Sequence, residues 1–236
     1  MDKLYLCDVT LVAIDDKNTQ IFRNIIEAIS IYIDFGDIKI FTSKVNKKLD
    51  KYVTKINPIN NICQYNRFVI KELYKYINTS FVMIIQPDGY PINIKAWTSE
   101  FLDYDYIGAP WIWAPQERRN EICPAGSCVG NGGFSIRSKK LIEMVACEFD
   151  YESYNSAFKR NKVPFQPDSL PEDVYICKKL SKELKQNGIK FAPCELAKYF
   201  SVENAIFQDQ FGFHGKETIK INQEANVFQF EKHFYE

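Results

Sequence analysis

The chain has 236 residues, 46% hydrophobic and 25% charged, an ordinary globular composition that excludes a disordered tail, a collagen-like fibre and a disulfide miniprotein. Thirty basic residues balance thirty acidic ones, so no global field draws the chain to nucleic acid or an anionic membrane, and an anionic ligand must be held locally. Seven scattered cysteines argue against a secreted disulfide framework, and no apolar run approaches the ~18 residues of a membrane span, which together predict a cytoplasmic protein without a signal peptide.

At roughly 150 residues per domain and with no linker in sight, one domain is expected. Segment 10–14 is short, apolar and β-branched, a first strand. After Asp15 and Asp16 the apolar residues Ile21, Phe22, Ile25, Ile26, Ile29 and Ile33 fall at helical spacing. Segment 38–42 is a second strand. A lysine-bearing polar stretch follows over 44–55, most simply a solvated basic loop. An amphipathic segment over 67–77 leads to a third strand at 81–85, which runs into Gln86-Pro87-Asp88-Gly89. Strands alternating with helices predict βαβ units and a mainly parallel sheet, whose ligands sit at the carboxyl ends of its strands. Beyond residue 90 the periodicity weakens, and Trp97, Tyr104, Tyr106, Trp111 and Trp113 read as aromatic anchors of surface loops. Gly130-Asn131-Gly132-Gly133 is a turn entering a short strand, followed by a helix over 138–147. Ser169 and Glu172 have the spacing of a capping box opening a helix that Asn187-Gly188 ends.

Four places could carry chemistry. Asp88 stands just past a buried strand, where a carboxylate meets the ligand crevice and suits a hard cation, although Pro-Asp-Gly is also a common reverse turn. The glycines at 130, 132 and 133 would let backbone approach a ligand, or simply make a hairpin. Glu172 fits the capping box, which leaves Asp173 as a candidate general base. His214 lies among aromatics and glycines, as a metal ligand or as a hydrogen-bonded packing residue. Asp103 and Asp105 have paired-carboxylate spacing but follow a helical turn. Cys123 and Cys128 lack a second pair at zinc-site spacing.

In their order these pieces resemble the GT-A fold of nucleotide-sugar glycosyltransferases, in which a strand-end acidic motif, a glycine loop, an acidic pair opening a helix and a C-terminal histidine follow one another. More narrowly, Gln86-Pro87-Asp88-Gly89-Tyr90, Tyr104-Asp105-Tyr106-Ile107-Gly108-Ala109-Pro110-Trp111, Gly130-Asn131-Gly132-Gly133-Phe134-Ser135-Ile136-Arg137, Pro171-Glu172-Asp173-Val174 and Phe211-Gly212-Phe213-His214-Gly215 resemble a glycosyltransferase-like domain family of microbes and large viruses. The resemblance implies a single α/β domain with a GT-A-like, mainly parallel sheet flanked by helices. Its donor-binding half spans about 1–110, its acceptor and catalytic half about 111–215, and a tail 216–236.

It also implies a nucleoside diphosphate-sugar, a UDP-sugar before others, near Ala13, Ile14, Asp15, Asp16, Tyr65, Asn66, Gln86 and Asp88. Asp88 and His214 would hold Mn²⁺ or Mg²⁺ on the diphosphate. Trp111, Trp113, Asn131, Gly132, Gly133 and Glu172 would surround the sugar or a glycan or glycolipid acceptor, and Asp173 would be the base. An aspartate base suits transfer with inversion. Gln86 departs from the resemblance, since a neutral amide replaces the first carboxylate and is a weaker ligand for a hard cation. Two competing functions are a nucleotidyltransferase acting on sugar phosphates, which would ordinarily carry a basic glycine loop absent from 12–17, and a non-catalytic carbohydrate-binding module.

Overall fold

The computed structural model describes residues 3–17, 19–44, 51–111, 129–160 and 169–225. Strand β1, Leu4–Ile14, is longer than its apolar part because its first half pairs with β2, Ile33–Thr42, across a register shift between Leu6 and Thr10. Helix α1, Thr19–Ser30, buries Phe22, Ile25, Ile26 and Ile29. The helical periodicity had carried on to Ile33, but the chain turns at Tyr32 and that residue opens β2 instead. Next come β3, Val53–Lys55, helix α2, Ile62–Lys71, and β4, Phe81–Ile85. The Asn61 side chain accepts from Gln64 N and caps α2.

The aromatic stretch after residue 90 holds more than loops. It contains β5, Gly89–Pro91, two short 3-10 turns, and β6, Tyr106–Gly108. Asp105 closes this region structurally, accepting from Ser138 Oγ and Lys190 N. Strand β7, Ser135–Ser138, leads into α3, Lys139–Glu148, which is capped by Ser138, and α4, Tyr151–Arg160, follows. Helix α5, Glu172–Val174, continues through a π-helical turn, Tyr175–Lys179, into α6, Ser181–Gln186, and Gly188 ends the run at φ +77°. Helix α7, Cys194–Phe200, β8, Ser201–Glu203, β9, Gly212–His214, and α8, Lys216–Glu224, complete the described chain.

Six strands form a mixed sheet in the order β3-β2-β1-β4-β7-β6. The first four are parallel, as the βαβ pattern predicts, while β7 runs antiparallel to both β4 and β6. Both faces are covered. Leu11, Ala13, Met83 and Ile85 pack into one apolar layer, and Val12, Ile14, Val82 and Ile84 into the other, which is why these strands are continuously apolar rather than alternating. A separate small sheet, β5-β9-β8, packs beside the large one and supplies much of the site described below.

The capping box does not form. Pro171 stands at the helix start without a side-chain cap, and Ser169 instead bonds Asn155 Oδ1 and accepts from Asn66 Nδ2. Glu172 is drawn away by Arg137, whose buried guanidinium has the stronger need for a partner. Asn66 is therefore a buried strut between α2 and the segment before α5, with a second bond to Leu170 O.

Asp16 has a similar structural use. Its carboxylate accepts from Thr42 Oγ1 at 2.8 Å, from Ile59 N at 2.6 Å and from Ser43 N, tying the end of β1 to the end of β2 and to the approach to α2. Burial opposes its charge, but the Ser43 and Ile59 amides and the Thr42 hydroxyl outweigh it and lower the pKa below 3.8. A depressed pKa contributes stability above the unfolded value and loses it as pH falls through the folded one. Asp16→Asn should cost on the order of 1–3 kcal/mol at neutral pH in urea unfolding, and the cost should shrink as pH falls below the ordinary carboxylate range; a cost that does not change with pH would remove the charge from the account.

Candidate functional site

A cavity of about 780 Å³ opens at the carboxyl ends of β1 and β4, lined by Ile14, Asp15 and Lys17, by Asn60, Asn61 and Tyr65 around the start of α2, by Gln86, Pro87 and Asp88, and by Lys216, Ile219 and Gln223 of α8. Gln86 and Gly89 exchange two backbone hydrogen bonds of 2.9 and 3.0 Å, so Pro87 and Asp88 form the tip of a two-residue hairpin joining β4 to β5. The turn and the ligand-facing carboxylate are thus one feature.

The small sheet brings the histidine to this hairpin. Antiparallel pairing of β5 with β9 sets Gly89 opposite His214, and parallel pairing of β8 with β9 sets Glu203 beside it. Gly215 N also donates to Asp88 O at 2.7 Å. His214 Nδ1 meets Glu203 Oε1 at 2.9 Å, and its Nε2 points to Gln86 Oε1 at 3.5 Å. Gln86 Nε2 in turn donates to the Tyr65 hydroxyl at 3.2 Å. Burial works against the His214 cation. The bond to Glu203 and the charges of Glu203, Asp88 and Asp173 outweigh it, so the pKa rises above 6.5. Tyr65 is pushed up from its ordinary value, chiefly by burial and then by Glu172.

The glycine loop is packed beneath these groups. A Cβ on Gly133 would lie 2.1 Å from His214 Nε2 and 2.4 Å from Gln86 Oε1, and one on Gly132 would lie 1.6 Å from Glu172 Oε1. Neither glycine has a positive φ, so close approach rather than backbone freedom requires them. Asn131 is the left-handed residue of the turn, at φ 61°, and its side chain donates to Glu203 Oε2. Under the loop two Arg137 nitrogens face the two Glu172 oxygens at 2.9 and 2.8 Å, with side chains 0% and 5% exposed. Burial pushes the Glu172 carboxyl up while the Arg137 charge pulls it down. Asp173 is half-buried, accepting from Gly132 N at 3.3 Å and from Val174 N at 2.7 Å.

The expected donor residues therefore divide. Ile14, Asp15, Tyr65, Gln86 and Asp88 line the cavity, whereas Ala13 is buried in β1 and Asp16 and Asn66 are internal anchors. Asn131, Gly132, Gly133 and Glu172 are buried behind the histidine, and Asp173 meets the loop rather than standing free. Trp111 is a core residue packed against Gly130; Trp113, Cys123 and Cys128 lie outside the described residues. Sequence reasoning missed Glu203, Arg137, Lys17, Asn60, Lys216 and Gln223. Lys216 had a signal, following directly on Gly215, but the segment 216–224 is a helix on the cavity and not a tail. Glu203 had none, because only strand pairing sets it beside His214.

Among the described residues no three His, Cys, Asp or Glu side chains gather as a metal site, and no helix is long and apolar enough to cross a membrane. Asp15 and Asp88 are the carboxylates on the cavity wall, and His214 reaches the cavity only through its contact with Gln86. Residues 48–214 match the family described as "Protein of unknown function (DUF5672)", and the chain belongs to that family. The match takes in Tyr65, Gln86, Asp88, the glycine loop, Asp173 and His214, and stops short of Lys216. No protein with a curated description matches the chain.

The packing makes two predictions. Gly132→Ala should destabilise the fold by about 1–3 kcal/mol, as overpacking against a buried pair does; a variant as stable as wild type in urea would refute the close approach. For His214, a folded pKa above the unfolded value contributes stability fully below the unfolded pKa and loses it as pH rises through the folded one. Without divalent ions, the stability gap between wild type and His214→Gln should therefore narrow between about pH 5.5 and pH 9, and a gap that widens would contradict the Glu203 pairing.

Proposed function

We propose that this chain is a metal-dependent, GT-A-like glycosyltransferase that moves a sugar from a nucleoside diphosphate-sugar, a UDP-sugar first among candidates, to a glycan or glycolipid acceptor with inversion. The observation that carries the reading is the β5–β9 register, which sets Gly89 of the strand-end hairpin opposite His214 while Asp88 of the same hairpin lines the cavity. The parallel β3-β2-β1-β4 core with its cavity at the strand ends supports it, since open α/β sheets bind ligands there. So do Lys17 and Lys216, two cations on the cavity wall of a chain with zero net charge.

The donor set fits a divalent cation in part. Glu203 on Nδ1 is the outer partner that a metal-binding imidazole ordinarily has, which leaves Nε2 directed to the hairpin. One carboxylate, one imidazole and the amide of Gln86 make an incomplete set, to be completed by phosphate oxygens and water. When bound, the cation would neutralise charge gathering on the diphosphate leaving group. The chain's own residues do the remainder. Lys17 and Lys216 attract the diphosphate, Ile14, Ile59 and Tyr65 offer apolar surface to the nucleoside, and Gln86 holds Tyr65 and His214 in place. Asp173, fixed by the Gly132 amide, accepts the proton of the acceptor hydroxyl.

Calorimetry with UDP and Mn²⁺ tests the reading. Asp88→Ala and His214→Ala should each weaken binding tenfold or more while the fold persists, and metal-independent binding unchanged in both would overturn the metal assignment. Once a donor and acceptor are in hand, Asp173→Asn should keep donor affinity and lose on the order of 10² to 10⁴ in transfer rate. Near wild-type turnover would return Asp173 to a purely structural role.

A further inference from the structure

Glu203 is shared between His214 and a hollow on the other side of it. Besides orienting His214, it lines a second hollow of about 390 Å³ together with Pro110, Tyr199, Ser201, Ile206 and Gln210. Three features indicate what this hollow takes. The Tyr199 ring is 56% exposed and Ile206 40% exposed, an apolar surface that folding leaves in water. Ser201 is only 1% exposed, yet its hydroxyl has no hydrogen-bond partner among the described residues, a cost that a bound polar group would remove. The charged groups on the wall are Lys198 and Glu203, one of each sign. Both Glu203 oxygens are already engaged, by His214 and Asn131.

An aromatic face, a neutral balance and an unsatisfied buried hydroxyl call for a ligand with an apolar face and a rim of hydroxyls. A pyranose ring has both. A phosphorylated or nucleic-acid ligand would need an excess of cations that this wall lacks. Tyr199 also walls a neighbouring hollow of about 530 Å³ with Thr98, Glu100 and Tyr104, so the ring stands between two depressions and can serve more than one sugar unit. Lys198 holds its ammonium over one face of the Tyr199 ring, 5.1 Å from the ring centre.

We infer that the hollow around Tyr199 and Ser201 is a subsite for a neutral oligosaccharide, which, on the glycosyltransferase reading above, is the acceptor. Glu203 links it to the donor side, since the same carboxylate touches the hollow and holds His214.

Saturation-transfer NMR with methyl β-glucoside, methyl β-galactoside, cellobiose and lactose at millimolar concentration tests this, beside calorimetry with UDP and Mn²⁺ on the same samples. Wild type should give transfer signals, stronger for at least one disaccharide than for its monosaccharide. Tyr199→Ala, an exposed change that leaves the fold standing, should weaken that binding tenfold or more, and Ser201→Ala should weaken it severalfold, with UDP affinity unchanged in both. No signal from any of the four probes, or signals unaltered in Tyr199→Ala, overturns the subsite whatever UDP does. Tyr199-dependent signals in a protein that binds no nucleotide would sustain the subsite and bring down the glycosyltransferase reading instead.

Discussion

The buried pair of Arg137 and Glu172 constrains everything around it. Two full charges are withdrawn from water between β7 and the start of α5, and Arg137 also lies over the Tyr106 ring, 5.2 Å from its centre. Such a pair adds little net stability, because the desolvation of both groups offsets their attraction, yet removing one member strands the other at a cost of about 3–5 kcal/mol. Its effect is therefore to make one arrangement mandatory. The Gly132 carbonyl accepts from the same guanidinium and the Gly132 amide reaches Asp173, so loop and helix start are fixed relative to each other. A side chain on Gly132 has no place in that arrangement.

From this fixed loop the geometry passes outward by contact. Gly133 sits under His214 and Gln86, Asn131 holds one oxygen of Glu203, and Glu203 holds His214 by the other. The three short strands β5, β9 and β8 bind these pieces together although each has three residues. Strands so short gain little from their own ladders. Their positions are secured by the aromatic packing behind them, where Phe134 stacks on Phe200 with ring centres 4.7 Å apart and both contact Phe211. A polar site is thus carried on a hydrophobic cluster.

This arrangement separates two kinds of polar residue that look alike in the chain. Asp15 and Asp16 are neighbours in the sequence, yet Asp15 faces the cavity while Asp16 is surrounded by three donors and belongs to the framework. Glu172 and Asp173 divide in the same way, one committed to a buried cation and the other half-exposed on the glycine loop. In each pair one carboxylate is held in the interior and its neighbour lies nearer the surface, bonded to backbone amides.

Much of the framework was legible in the sequence. Apolar runs and helical spacing gave α1, β4 and α3 because burial leaves a periodic trace, and the hairpin at Asp88 was marked by Pro-Asp-Gly. Local chemistry misled where a distant partner prevailed: Ser169 and Glu172 had capping-box spacing, but Asn66, Asn155 and Arg137 claimed them first. The candidate site was half visible, since Asp88, the glycines, Asp173 and His214 sit in conspicuous motifs. What joins them was not visible, because register between β5, β9 and β8 follows from packing over more than a hundred residues of chain and leaves no local pattern. The sequence determined which residues were available for chemistry; only tertiary pairing decided that Glu203 orients His214, that Arg137 takes Glu172, and that Lys216 reaches the cavity.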